Sequence, residues 1–172
     1  MATIRILLGI VCFIVIGSDW SVNRNSIAHG RTKNVVATAK NEIGVQEYME
    51  NSGPRVDQYN AYVGVKKAPW CASFVSWCFG QAGYPQPRTP WSPALFPANR
   101  LTTNPMAGMV LGIYFDHLKR IGHCGIVEEV RGDWIFSIEG NTNLNGSREG
   151  DGVYRRMRHI RSIHRFADWL KK

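Results

Sequence analysis

The chain has 172 residues, 44% of them hydrophobic and 20% charged, with a formal net charge of +8. That length supports one domain with a sizeable core, and the composition excludes a disordered or fibrous chain. No nucleic-acid motif accompanies the positive charge, which points instead to an anionic envelope surface as partner.

Residues 1–18 stand apart. Arg5 precedes the apolar run Ile6–Gly17, twelve residues that are too few to span a bilayer as a helix. A basic residue followed by a short apolar run has the form of a signal peptide, with an uncleaved anchor as the alternative. Either way, a secreted or periplasmic location is expected. Residues 19–33 read as a polar linker, and the folded domain is expected over 34–172.

A first helix is predicted from Asn34, with Val35, Val36, Ala39 and Ile43 at helical spacing and Gly44 as stop. A second begins at Pro54, carries Val56, Tyr59 and Val63, and ends at Gly64. The third runs from Cys71 to Ala82 with Gly83 as its cap. On it, Phe74, Val75, Cys78, Phe79 and Ala82 share one arc, while Ser73, Ser76 and Gly80 fall opposite. Cys71 occupies its first turn. Residues 84–105 form a Pro-rich loop containing Trp91 and Phe96, of a length that usually carries function.

Strands follow at Met109–Phe115, His123–Val130, Trp134–Asn141 and Val153–Arg158, with a fifth at Ile160–Phe166. Helices first and strands after predict an α+β domain with an antiparallel sheet. The basic run Arg155–Arg165 reads as a solvated strand face.

The chemistry centres on Cys71. Free N–H groups and the positive dipole end of a helix N-terminus favour a thiolate, and the backbone N–H of Cys71 is available to a developing oxyanion. A three-residue turn Arg131-Gly132-Asp133 would place position 123 opposite 141 and 125 opposite 139. His123, Glu139 and Asn141 then share one face, and Cys124, Ile126, Val130, Trp134, Phe136 and Ile138 form an apolar layer on the other. An acceptor on one imidazole nitrogen leaves the other for Cys71. His117, in the preceding loop, has no predicted carboxylate partner. The histidines are not at metal spacing, so no metal or cofactor is expected. Cys124, turned away from His123, is expected to face away from the helix; a Cys78–Cys124 bond would then cross the sheet, and no internal disulfide is expected.

These residues carry a resemblance. The stretch Pro69-Trp70-Cys71-Ala72-Ser73-Phe74-Val75-Ser76-Trp77 resembles the nucleophile helix of CHAP domains (cysteine, histidine-dependent amidohydrolases/peptidases), relatives of the NlpC/P60 peptidases. Gly122-His123-Cys124-Gly125-Ile126-Val127 is similar to their histidine strand, and Ile138-Glu139-Gly140-Asn141-Thr142 to their third-residue motif. Glu42–Val45 and Val56–Gly64 resemble the segment before the cysteine, so the likeness covers residues 35–168.

The resemblance implies a papain-like α+β fold acting as a monomer, and cleavage of an amide bond in peptidoglycan by an amidase or an endopeptidase. It implies Cys71 as nucleophile, His123 as base, Glu139 as the orienting residue and Asn141 assisting. Trp70 and Trp91 are expected as substrate contacts. Two departures stand out. Pro105-Met106-Ala107-Gly108 lacks the acidic residue often found before the first strand, and Trp70 replaces a polar amide that supplies an oxyanion donor in some members. Gln58, Asn60 and Tyr62 are the candidates for that second donor. The competing readings are a catalytically silent wall-binding module that uses the Trp91 loop, and a papain-like hydrolase with a substrate other than peptidoglycan.

Overall fold

The computed structural model describes residues 35–144 and 150–171; the expected signal segment and linker lie outside them. Helix α1 is seen over 35–41, followed by α2 (Val56–Tyr62) and α3 (Cys71–Gln81). Six strands form one antiparallel sheet: β1 (Leu101–Thr102), β2 (Val110–Phe115), β3 (Arg120–Arg131), β4 (Trp134–Thr142), β5 (Gly152–His159) and β6 (Arg165–Ala167), in the order β1-β6-β2-β3-β4-β5. The helix-then-sheet order gives the α+β class expected from the pattern.

Apolar periodicity sets the α1 and α2 contacts. Val35, Val36 and Ala39 of α1 and Val56 and Tyr59 of α2 are buried. Ile43 is exposed, because the helix has already turned out before it and Gly44 takes a left-handed φ of +91°. Buried Glu42 ties these elements together: it accepts two hydrogen bonds of 2.7 Å from Arg55 and a third from the Tyr59 hydroxyl. The Arg55 guanidinium then stacks 4.5 Å above the Trp77 ring on α3.

Helix α3 departs from the amphipathic expectation. Every residue from Cys71 to Phe79 is buried, Ser73 and Ser76 included. The sheet covers one side, and the 84–105 segment covers the side expected to meet solvent. Ser76 Oγ donates to the Thr89 carbonyl at 2.9 Å and accepts from the Thr89 N–H at 3.0 Å, so the buried hydroxyl is satisfied. Gly80 leaves room for Tyr62, whose hydroxyl would lie 2.3 Å from an added Cβ. The covering segment contains two 3-10 turns, Ser92–Leu95 and Ala98–Arg100, and then β1, which the sequence pattern did not reveal. The expected fifth strand divides into a 3-10 turn at Ile160–Ser162 and the shorter β6.

Two bulges in β3 set the geometry of the site. Arg131 pairs with Trp134, so the β3–β4 turn has two residues, not three; Gly132 takes φ +56° within it. Glu128 is left unpaired between Val127 and Glu129, and this extra residue restores the Ile126–Ile138 pairing. The register expected at the site is therefore reached by a bulge. Beyond it the faces exchange: Ile135 is buried, whereas Val130 and Trp134 are exposed. Glu128 is used as well, accepting from Lys40 of α1 at 2.9 Å and from Arg155 of β5 at 2.6 and 3.0 Å.

At the other end of β3, Ile113 pairs with His123 and Tyr114 with Ile121, leaving Gly122 as the second bulge. The sheet face toward α3 carries Val110, Cys124, Ile126, Ile138 and Val153, packed with Phe74, Val75 and Cys78. Met109, Leu111, Val127, Ile135 and Phe166 form a smaller cluster on the opposite face. Cys124 thus faces the helix, contrary to expectation: alternation parts it from His123, but the helix packs on the Cys124 side. The expected geometric bar to a Cys78–Cys124 bond does not hold, although Cys71, Cys78 and Cys124 are all unpaired.

Candidate active site

Cys71 opens α3, with Trp70 as its N-cap. No capping side chain occupies the first-turn N–H groups, so they and the helix dipole act on the thiol. The Cys71 thiol is held well below its usual range. The Cys124 thiol contributes most by hydrogen bonding to it; burial opposes the shift, and His123 and Ser92 add to it. Ser92 Oγ lies 3.3 Å from Cys71 Sγ. Burial and the neighbouring Cys71 push Cys124 well up, and burial does the same to Cys78, so both stay thiols.

His123 is fully enclosed, with Nε2 2.8 Å from Glu139 Oε2. Glu139 is ionised: burial resists its charge, but Arg158, then His123, hold the carboxyl far below the usual range. An ionised acceptor makes Nε2 the protonated nitrogen of the imidazole. Nδ1 has no hydrogen-bond partner among the described residues and is the nitrogen left for Cys71, with which His123 is electrostatically linked. Burial alone would lower the His123 pKa; hydrogen bonds to Cys71 and Glu139 outweigh it and raise the value to about 9. Both shifts run in the direction of a thiolate beside an imidazolium.

Glycines make room for this arrangement. Glu139 reaches His123 by lying across Gly125, where a Cβ would stand 2.5 Å from Glu139 Cγ. Gly140 lies against α3, where a Cβ would meet Phe74 at 2.7 Å and the Trp70 ring at 2.8 Å.

Several residues stand elsewhere than the sequence reading placed them. Arg158, expected on a solvated face, points inward and donates to both Glu139 oxygens at 2.6 Å. Ser137 Oγ adds a third bond to Glu139, also at 2.6 Å. The signal lies in the β4–β5 register: Arg158 pairs with Ile135, on the row that holds Ser137 and Glu139. Asn141 does not meet the imidazole. With its amide turned to suit both neighbours, it accepts from the Trp70 N–H at 3.3 Å and donates to the Gly150 carbonyl at 2.8 Å, so it fixes the backbone just before the nucleophile.

Trp70 is not a substrate contact. It is 0% exposed, packed against Tyr59, and its indole N–H donates to Glu47 at 2.9 Å. Trp91 is 51% exposed and stands at the rim of a cleft of about 270 Å³ whose lining includes Cys71, Ser92 and Arg120. None of the expected second oxyanion donors lines this cleft. Gln58 accepts from Arg55, Asn60 donates to the Ala68 carbonyl, and Tyr62 packs at Gly80. Ser92, which no motif marked, is the hydroxyl beside the thiol. His117 is exposed, edge-on to Phe115.

Residues 62–141 match the family model described as the CHAP domain, the family that the motifs resemble. Two solved structures also resemble the chain. One, "The crystal structure of Ly7917", is 16% identical with a TM-score of 0.48, covering 78% of this chain and 60% of that one. The other, "The crystal structure of Ly7917 with the hydrolyzing product of MDP", is 16% identical with a TM-score of 0.46, covering 78% and 61%. The chain therefore spans about three fifths of those structures. No curated protein matches the sequence.

Proposed function

Starting from a chain whose residues 62–141 match the CHAP-domain family model, we propose that it is an exported cysteine hydrolase that cleaves an amide bond in peptidoglycan, as amidase or endopeptidase. The observation that carries this reading is the enclosed His123–Glu139 pair, whose free nitrogen is left to a helix-terminal thiol at the floor of a cleft.

In this mechanism the Cys71 thiolate attacks the amide carbonyl carbon and forms the C–S bond. The Cys71 N–H stabilises the oxyanion. The His123 imidazolium gives its Nδ1 proton to the departing amine as the C–N bond breaks. Water, losing a proton to His123, then attacks the thioester; the acid is released and the thiolate regenerated. Glu139 keeps the imidazole in one tautomer and balances its charge, while Arg158 and Ser137 keep Glu139 ionised and in place. Export is supported by the basic and apolar residues of 1–18, and binding to an anionic wall by the net charge of +8.

The test is digestion of purified peptidoglycan followed by mass analysis of the released fragments. New muramic-acid lactyl ends mark an amidase; new peptide ends mark an endopeptidase. Equal release by the parent protein and Cys71→Ala would remove the thiol mechanism.

A further inference from the structure

We infer that Arg120 is a carboxylate anchor at the mouth of the Cys71 cleft, selecting peptides with a free carboxylate near the scissile amide over those in which it is amidated. This rests on the hydrolase reading above and adds a substrate class to it.

The cleft is mostly apolar, walled by Val65, Ala68, Pro69 and Pro90, and Arg120 is the charged side chain in its lining. The guanidinium carbon lies over the Trp91 ring, 4.1 Å from its centre. One N–H donates to the Ile121 carbonyl at 3.1 Å. Arg55, Arg131, Arg155 and Arg158 are each bound to a glutamate, but among the described residues Arg120 has no carboxylate partner. A guanidinium seated over an aromatic ring, with spare N–H groups and no acid beside it, is able to receive a planar anion by two parallel hydrogen bonds. The Gly122 bulge lies between Arg120 and His123 and brings both to the same end of β3.

The positive field is local. Across Pro69, a separate cleft presents Glu47, Glu50 and Asp151. An anionic group therefore gains only on the Arg120 side, which fixes the direction in which a stem peptide lies.

The experiment uses the full chain and synthetic muropeptide pairs, each pair differing only in whether one stem carboxylate is free or amidated. For one pair the parent should favour the free acid by roughly 10- to 100-fold in kcat/KM, the scale of a charge-assisted hydrogen bond. Arg120→Gln should bring that ratio to about one, and Arg120→Lys, which keeps charge but loses the fork, should fall between. The ratio is internal to each preparation, so a fraction of misfolded protein does not change it. Equal cleavage of both members of every pair by the parent, or a preference that survives Arg120→Gln, overturns the anchor and leaves the hydrolase intact. No cleavage of any member overturns the hydrolase reading and the anchor with it.

Discussion

The two halves of the site are built to different standards. Around His123 everything is closed: the imidazole, Glu139 and Ser137 are buried, and Glu139 receives four hydrogen bonds of 2.6–2.8 Å. Cys71 is buried as well, but its thiol borders a cleft on one side, with Ser92 Oγ at 3.3 Å. In the proposed mechanism the base is held by a closed hydrogen-bond network, while the nucleophile borders the cleft. A general base must keep one tautomer and one direction, whereas a nucleophile must meet an incoming carbonyl.

The largest expected effect treats the halves as one device. Cys71→Ala and His123→Ala should each lower kcat by about a thousandfold or more, because either alone disables the unit. His117→Ala, on an exposed ring, should leave activity as it was. A greater loss from His117→Ala in the same muropeptide assay would move the base to the wrong histidine.

The second separates the halves by stability. Arg158→Ala leaves Glu139 buried without its main cation, and Glu139→Gln leaves Arg158 without its anion. Removing one partner of such a pair costs about 3 kcal/mol, read as a lower denaturation midpoint. Cys71→Ala removes one small polar atom at the open side and should cost less than about 1 kcal/mol. Equal midpoints for all three variants would remove the contrast. Glu139→Gln keeps an acceptor for His123 but leaves the Arg158 guanidinium without its anion, so its cost in stability should approach that of Arg158→Ala.

The third effect is in pH. The active pair needs thiolate and imidazolium. As pH rises through about 9, His123 loses its proton and the acid for the leaving amine is gone, so kcat/KM should fall. As pH falls, activity should persist below the usual thiol range and decline only when Cys71 is protonated. Stability carries the same signs. The raised His123 pKa adds stability that is present below pH 6.5 and lost as pH rises through about 9. The lowered Glu139 pKa adds stability that persists until strong acid. An alkaline limb that stays in place in Glu139→Gln would assign it to a group other than His123.

The smallest is Ser92→Ala. Loss of one hydroxyl donor to the thiolate should lower kcat/KM about tenfold and shift the acid limb upward. A drop in rate with the limb unmoved would make Ser92 a contact of the substrate alone.

Much of this site was legible because strand alternation is local. His123 and Glu139 are on one face by parity, and Cys71 is at a helix start by pattern. Arg158 was missed because its role depends on β4–β5 pairing across a loop, which periodicity within one strand does not encode. Trp70 was misplaced for a related reason: the residue beside a nucleophile can face the cleft or the core, and only packing with Tyr59 and Glu47 decides. The turn between β3 and β4 shows a compensation. One residue fewer in the turn and one more in the Glu128 bulge give the register that a longer turn would have given.

Gly125 carries a consequence for reading other chains. A relative that keeps the cysteine, histidine and glutamate but has alanine at this place would pass any motif search as an active hydrolase. Its added methyl would occupy the path by which the glutamate crosses β3, with Cγ only 2.5 Å away, and the acid would be driven off the histidine. Silent members of such a lineage can therefore be recognised at a residue with no chemistry of its own, while their reactive residues remain intact.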